Sequence, residues 1–244
     1  MNHKFEHIKN DVIKLVAANR VLANEGVVDA YGHVSIRNPL NKNEFLISRS
    51  LSPELVTESD IYAFTLDGKP VESNTPTPYL ERFIHGSIYQ EREDINAVIH
   101  SHADEVLPFS ITDTPLLPVI LTASDMGYSV PVWDIRDHFG DTNLLVTNQE
   151  QGNDLAVGLG SNKVILMRGH GFTAAGRTLI EVVKVSIYLP KNAKIQLQAS
   201  SLGKVKSLSK GEIDIRSKVD PNAPQMVKAW EFWCSKAGVN PGKN

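Results

Sequence analysis

Residues 95–103, with the sequence INAVIHSHA, constrain the fold of this chain more than any other stretch. The run is apolar and β-branched, which is typical of a buried strand, and it ends in two histidines spaced two residues apart. Since alternate side chains of a strand point to the same face, His100 and His102 are predicted to share a face with Val98. Such a pair can offer two imidazole nitrogens to one metal ion. The alternative is a pair of surface or hydrogen-bonded histidines at a strand end.

The remaining sequence alternates helical and strand-like patterns, which indicates an α/β fold. Apolar residues at helical spacing predict a first helix over residues 5–22, with Gly26 as its C-terminal cap. A long helix is predicted from Thr178 to about Gln198, and Pro190 is expected to kink it or end it early. Further helices are predicted at 79–90 and 153–160, and strands at 32–39, 44–50, 61–66, 143–147 and 163–169.

We therefore predict one α/β/α domain with a central, mainly antiparallel or mixed sheet. This domain is expected over residues 1–210, followed by a C-terminal tail over 211–244 that contains a short helix. The length of 244 residues is within the range that folds as a single α/β domain.

Composition and charge exclude several classes of function. The net charge is -3 and no dense Lys/Arg cluster is present, so nucleic acid is not an expected partner. The N-terminal residues lack the apolar stretch of a signal peptide, and no window approaches the ~20 apolar residues that span a bilayer. Cys234 is the only cysteine, which excludes an intramolecular disulfide and a cysteine metal cluster. We expect a cytoplasmic protein that does not contact membranes.

A third histidine and a carboxylate extend the candidate site. His170 follows an apolar run and lies between two glycines, which either let the backbone approach a neighbour closely or serve a tight turn. Three imidazoles suit zinc, manganese, iron or cobalt. Glu81, on the helix predicted to start at Tyr79, can complete the coordination or move protons. It can equally belong to a charged solvent face.

The order of these residues resembles the class II aldolase/adducin family, whose metal enzymes include L-fuculose-phosphate aldolase. A helix glutamate is followed nineteen residues later by H-x-H and then by a distal G-H-G. The segments YGHVSIRNP, GSIYQEREDINAVIHSHADEV and RGHGFTAAG carry the resemblance, which extends over about residues 10–198. It implies a divalent metal, zinc or manganese, bound by His100, His102 and His170. It also implies that Glu81 is the acid/base and can ligate the metal.

The sequence departs from the sugar-phosphate aldolases where those enzymes hold phosphate. They use a Gly-Asn turn, a Thr-Gly loop and two serines before the glutamate; here these segments read Gly-His, Ser-Arg-Ser-Leu and Pro-Tyr-Leu. A guanidinium is a planar fork that matches a carboxylate, so Arg49, with His33 and Ser48, is predicted to bind a carboxylate of the substrate. The segments around His33 and Arg49 resemble those of the hydroxypyridine-dicarboxylate and dihydroxyphthalate decarboxylases of the family. The segment VWDIRD, which contains Arg136, shares this resemblance. Arg136 is therefore a further substrate-binding candidate.

This resemblance favours a metal-dependent carbon–carbon lyase, foremost a decarboxylase of a hydroxy-aromatic or 3-oxo carboxylic acid. A divalent metal acts as a Lewis acid that stabilises an enolate or phenolate, and Glu81 is the first candidate to protonate the carbon. One alternative is an aldolase, epimerase or dehydratase acting on a sugar phosphate. Another is a non-catalytic scaffold like the adducin head. The family also implies a homotetramer with sites near subunit interfaces, where Tyr188 of a neighbour contributes.

Overall fold

The computed structural model describes residues 3–220 and 223–242, which contain one mixed seven-stranded sheet in the order β3-β2-β1-β4-β7-β6-β5. All neighbouring strands are antiparallel except β5 and β6, which are parallel. The predicted sheet type is confirmed. The strands are β1 (His33–Arg37), β2 (Glu44–Ser48), β3 (Ile61–Thr65), β4 (Ala97–Ser101), β5 (Val132–Trp133), β6 (Val164–Met167) and β7 (Gly171–Gly176).

Helices cover both faces of this sheet, which confirms the predicted α/β/α layers. They are α1 (Lys9–Asn24), α2 (Arg82–Glu91), α3 (Leu107–Ser110), α4 (Arg136–Phe139), α5 (Gln149–Leu159), α6 (Leu179–Ser200), α7 (Lys210–Ser217) and α8 (Pro224–Lys236). The helices α1, α6 and α8 share a hydrophobic core with one face of the sheet. The helices α2 and α5 share a second core with the other face. No helix among the described residues is long and apolar enough to cross a membrane.

Alternation along β4 explains why the sheet has two cores. Ala97 and Ile99 belong to the core of α1 and α6, whereas Val98 belongs to the core of α2 and α5. Both faces are buried, so the strand reads as a continuous apolar run. The same period of two places His100 on the face of Val98, toward α2. The central strand therefore aims its histidine at the layer that contains Glu81.

The strands predicted at 32–39, 44–50 and 61–66 and the first helix are confirmed, and Gly26 after α1 has a φ of +69°. The strand predicted at 143–147 is wrong, because this segment is a loop in which Leu144 has a φ of +65°. The Glu81 carboxylate accepts a hydrogen bond from the backbone N–H of Val146 in this loop. The backbone N–H of Val146 therefore donates to a distant side chain instead of to a neighbouring strand.

The expectation that Pro190 ends α6 early is also wrong. The helix continues from Leu179 to Ser200 with Pro190 buried inside it. An interior proline costs roughly 3 kcal/mol, and burial of the apolar face of α6 offsets that cost. Asn192 and Gln196 on the same helix bond the backbone of Pro115, Leu117, Val119 and Ile120. These bonds anchor a proline-rich segment that has no periodicity of its own.

The C-terminal segment packs closely against the rest of the molecule. The described part of this segment, residues 211–220 and 223–242, contains most of α7 and all of α8, whereas one short helix was predicted there. Trp230, Trp233 and Cys234 of α8 are buried in the core shared with α1 and α6. The domain boundary at residue 210 stays a prediction.

Candidate metal centre

Four side chains converge where β4 ends. His100 lies in β4, His102 follows the strand directly, and His170 lies in the turn between β6 and β7. Glu81 immediately precedes α2, which begins three residues later than predicted, after a turn at Leu80 and Glu81. One ligand atom from each of the four residues lies within 4.8 Å of the others. The structure thus brings together all four residues predicted to bind the metal.

The distances between these atoms fit a common metal ion. The Nε2 atom of His102 lies 3.0 Å from that of His100 and 3.1 Å from that of His170. The Oε2 atom of Glu81 lies 3.6 Å from His100 Nε2 and 3.5 Å from His170 Nε2. Ligands held about 2.0–2.2 Å from one ion lie roughly 2.8–3.6 Å apart at the angles of octahedral and tetrahedral sites. Three imidazoles and one carboxylate are a donor set that zinc and manganese accept.

The two glycines around His170 have different roles: one allows a tight turn and the other allows a close approach of two strands. Gly169 has a φ of +62°, a conformation that favours glycine in a tight turn. A Cβ atom on Gly171 would lie 2.1 Å from the carbonyl oxygen of Ser101, so β7 approaches β4 too closely for any side chain there. The turn therefore presents His170 directly opposite the end of β4.

Other side chains contact the far nitrogens of two of these histidines. Asp29 Oδ1 lies 3.3 Å from His102 Nδ1 and also accepts the backbone N–H groups of Tyr31 and Gly32. Thr173 Oγ1 lies 3.4 Å from His100 Nδ1. Partners of this kind select the tautomer that leaves Nε2 as the metal donor. The sequence reasoning missed both Asp29 and Thr173.

Glu81 is buried, with 7% of its surface exposed. Burial alone would raise its pKa. The neighbouring His100 and His170 and the N–H of Val146, 2.9 Å away, outweigh that effect and lower the pKa of Glu81 to about 2. Its ground state at neutral pH is therefore the carboxylate, which suits a ligand or a base. To act as an acid, Glu81 must first accept a proton.

A buried hydrogen-bonded chain lies beside the four converging residues. His33 pairs with His100 across β1 and β4, and its Nδ1 atom lies 2.6 Å from His85 Nε2. Ser35 Oγ lies 2.6 Å from His85 Nδ1 and 2.8 Å from the Tyr89 hydroxyl. Burial lowers the pKa of His85 to about 3 and holds that of His33 well below its usual value, so both are neutral.

The sequence contained a signal for this chain that the prediction did not use. Glu81, His85 and Tyr89 follow one another at intervals of four, which places them on one side of α2. His33 and Ser35 are two apart in β1 and so share a face. The two patterns meet only because α2 packs over β1.

The residues predicted to bind substrate lie in three different places. Ser48 Oγ donates to the Tyr79 hydroxyl at 3.3 Å, and the Tyr79 ring lies 4.5 Å from the His33 ring. Arg49 is half-exposed, and its Nε atom donates to Asp60 Oδ1 at 2.7 Å. Tyr79 therefore contacts both His33 and Ser48, whereas Arg49, the next residue in the chain, pairs with Asp60.

Arg136 and Tyr188 are not among the side chains gathered around His100. Arg136 lies on α4 with 58% of its side chain exposed and contacts Asp134, which also pairs with Arg168. Tyr188 lies on α6 and packs against Trp233, with 6.2 Å between ring centroids. Their predicted roles stay predictions.

With this fold and this site, the chain belongs to the family described as Class II Aldolase and Adducin N-terminal domain, which matches residues 13–197. It is 34% identical over 240 residues to decarboxylase tropJ of Talaromyces stipitatus, and the alignment covers 89% of this chain and 90% of that protein. It is 29% identical over 200 residues to a 3,4-dihydroxyphthalate decarboxylase of Arthrobacter keyseri, with 78% of each chain covered.

Among solved structures, an aldolase II superfamily protein from Pseudomonas syringae has the same fold. The two chains superpose with a TM-score of 0.78 at 22% identity, over 97% of this chain and 94% of the other. The predicted family, fold and similarity to decarboxylases of the family are confirmed.

Proposed function

We propose that this chain is a divalent-metal-dependent decarboxylase of a hydroxy-aromatic or 3-oxo carboxylic acid. The observation that carries the proposal is the convergence of His100, His102, His170 and Glu81 within 4.8 Å. Similarity over most of the chain to two proteins named as decarboxylases supports the reaction class. A non-catalytic scaffold has no need of four buried or half-buried metal donors at one point.

The proposed reaction places simple demands on the site. The bond between the substrate carbon and its carboxylate breaks, carbon dioxide leaves, and the electron pair stays on the carbon next to a carbonyl or phenol oxygen. A bound divalent metal supplies a Lewis acid for that negative charge. Glu81 holds or moves the proton that the carbon finally takes. Its burial beside His100 and His170 keeps bulk water from competing for that proton.

The internal hydrogen bonds of the loop after β2 favour a carboxylic acid over a sugar phosphate as the substrate. The Ser48 hydroxyl and the N–H of Leu51 both donate to the Tyr79 hydroxyl, which in turn donates to the Leu51 carbonyl oxygen. These two donors of the loop are therefore engaged with Tyr79. A phosphate would have to compete with these internal hydrogen bonds.

Arg49 is the proposed partner of a carboxylate that the substrate retains. Among the described residues, its hydrogen bond to Asp60 uses only Nε, so the two terminal nitrogens remain for a ligand. Asp60 is itself held by the N–H and hydroxyl of Thr57. This arrangement fixes the guanidinium plane before the substrate arrives, which lowers the ordering cost of binding.

Replacing Arg49 by alanine is expected to weaken binding or turnover by roughly ten- to a hundredfold, because a charge-assisted hydrogen bond is lost. Arg49→Lys keeps the charge without the planar fork, so its loss should be smaller. Steady-state kinetics on the accepted acid measure both. Arg177→Ala is the matched control, since Arg177 is half-exposed, pairs with Glu181 and follows the far end of β7. Equal effects of the Arg49 and Arg177 variants would contradict the assignment.

The reaction class is tested with two substrate panels, with zinc and manganese supplied. One panel contains hydroxy-aromatic and 3-oxo carboxylic acids, including 3,4-dihydroxyphthalate, and the other contains sugar phosphates. We expect carbon dioxide from at least one acid and no cleavage of the phosphates. Efficient cleavage of a sugar phosphate, with no carbon dioxide from any acid, would replace the decarboxylase by the aldolase. The metal assignment would survive that result.

Assembly and cellular location extend the same proposal. A homotetramer would place the sites near subunit interfaces, where Tyr188 of a neighbour contributes to substrate binding. A cytoplasmic location is part of the proposal.

A further inference from the structure

Four buried polar side chains beside His100 form a single hydrogen-bonded chain. The order is His33, His85, Ser35 and Tyr89, with neighbouring atoms 2.6 to 2.8 Å apart. None of the four residues is more than 1% exposed. Inside a protein, each hydrogen of such a chain needs an acceptor, so the chain has a direction.

The hydroxyl of Tyr89 sets that direction. Burial raises the pKa of Tyr89, so the phenol keeps its proton. The buried phenol hydrogen needs an acceptor, and among the described residues the side chain within hydrogen-bonding distance of the phenol oxygen is Ser35, 2.8 Å away. Ser35 Oγ is then the acceptor for the phenol proton. The Ser35 hydroxyl accepts this hydrogen bond and donates its own hydrogen to His85 Nδ1.

The direction determines where each imidazole carries its proton. His85 accepts at Nδ1, so its proton lies on Nε2 and is donated to His33 Nδ1. His33 must then carry its own proton on Nε2. That nitrogen makes no hydrogen bond to a described residue, and the His33 ring lies 5.1 Å from the His100 ring and 4.5 Å from the Tyr79 ring. A hydrogen-bonded chain with a purely structural role would end at an acceptor of the protein.

We propose that Tyr89, Ser35 and His85 are positioning residues that hold His33 as the Nε2–H tautomer. His33 then always offers a hydrogen-bond donor, and never an acceptor, beside the predicted metal ligands. The ligand atom that fits is an anionic or carbonyl oxygen of the substrate, such as a carboxylate or phenolate oxygen. Only the identity of this ligand rests on the proposed function. The tautomer is a property of the protein itself.

The tautomer is read directly from nitrogen NMR of protein with ¹⁵N-labelled histidine, recorded without metal and with zinc, which is diamagnetic. The variants His33→Asn and His85→Gln assign the two residues by loss of their signals. We expect both rings to be protonated at Nε2. A His33 ring protonated at Nδ1 would mean that the chain runs in reverse, and this would overturn the proposal whatever reaction the protein catalyses.

The positioning role is tested by removing both hydroxyls in a Ser35→Ala/Tyr89→Phe double variant. Without them nothing selects the tautomer of His85, so the His33 signals should shift or split between the two tautomers. Affinity for 3,4-dihydroxyphthalate, measured by calorimetry, should fall by roughly tenfold, the loss of one hydrogen bond to a charged group. Ser124→Ala, which removes a buried hydroxyl elsewhere, should change neither quantity.

The single variant Tyr89→Phe covers the case in which the double variant does not fold, as judged by circular dichroism. It keeps Ser35 and should produce a smaller change of the same kind. An unchanged His33 spectrum in a folded variant would overturn the role of the chain. If the wild-type protein has the expected tautomer but binds no acid in the panel, the substrate class fails and the tautomer assignment stands.

Discussion

Replacing His100 or His170 by alanine is expected to abolish stoichiometric binding of a divalent metal. Each variant removes one of four donors whose atoms lie 3.0 to 3.6 Å from their neighbours, and two imidazoles with a carboxylate leave the coordination incomplete. His170 is the safer variant, because it lies in a turn whereas His100 is buried in the central strand. Elemental analysis after dialysis measures the metal.

His138→Ala is the control for this experiment. His138 is exposed on α4 and pairs with Asp154, so its loss removes an imidazole without touching the candidate centre. Circular dichroism should show that the fold survives in all three variants. Full metal occupancy in both the His100 and His170 variants would contradict the assignment of these residues as ligands.

Glu81→Gln is expected to lower turnover by roughly 10²–10⁴-fold, the range of a general acid/base contribution. Glutamine keeps the shape and a carbonyl oxygen that can still accept the N–H of Val146. It removes the negative charge and the ability to accept and release a proton. Since His100 and His170 hold the pKa of Glu81 at about 2, the charge removed is one that the site normally carries at neutral pH.

Metal content must be measured alongside turnover for this variant. Slow turnover with full occupancy indicates a role in proton transfer, and slow turnover with lost metal indicates that Glu81 is a required ligand. Glu91→Gln, an exposed glutamate at the last position of the same helix, is the matched control and should behave as wild type. Near wild-type turnover of the Glu81 variant on the accepted acid would remove Glu81 from the mechanism.

Local patterns were sufficient to place much of the candidate centre. The period of a strand puts His100 and His102 on one face whatever the rest of the chain does, and glycines on both sides of His170 predict a turn. Resemblance to a family then joined these pieces to Glu81, because nothing local links a helix start to a turn 89 residues later.

Local patterns failed where a tertiary contact replaced a local hydrogen bond. Residues 143–147 look like a strand, but Val146 bonds the Glu81 carboxylate instead of a neighbouring strand. Pro190 predicts a kink or an early end of the helix, but α6, buried on the sheet, continues ten residues further, to Ser200. In both cases long-range packing outweighed a preference that the sequence does show.

By itself, the sequence determined the α/β class, the strand that carries His100 and the face that His100 shares with His102. Those features depend on periodicity and on residue type, which are local. The resemblance to a family added Glu81 and His170 to the same site. Only the tertiary structure decided that α2 packs over β1, so that His85 and Tyr89 meet His33 and Ser35 across 50 to 54 residues of chain. Such contacts depend on which faces bury each other, and the buried polar chain beside His100 exists for that reason alone.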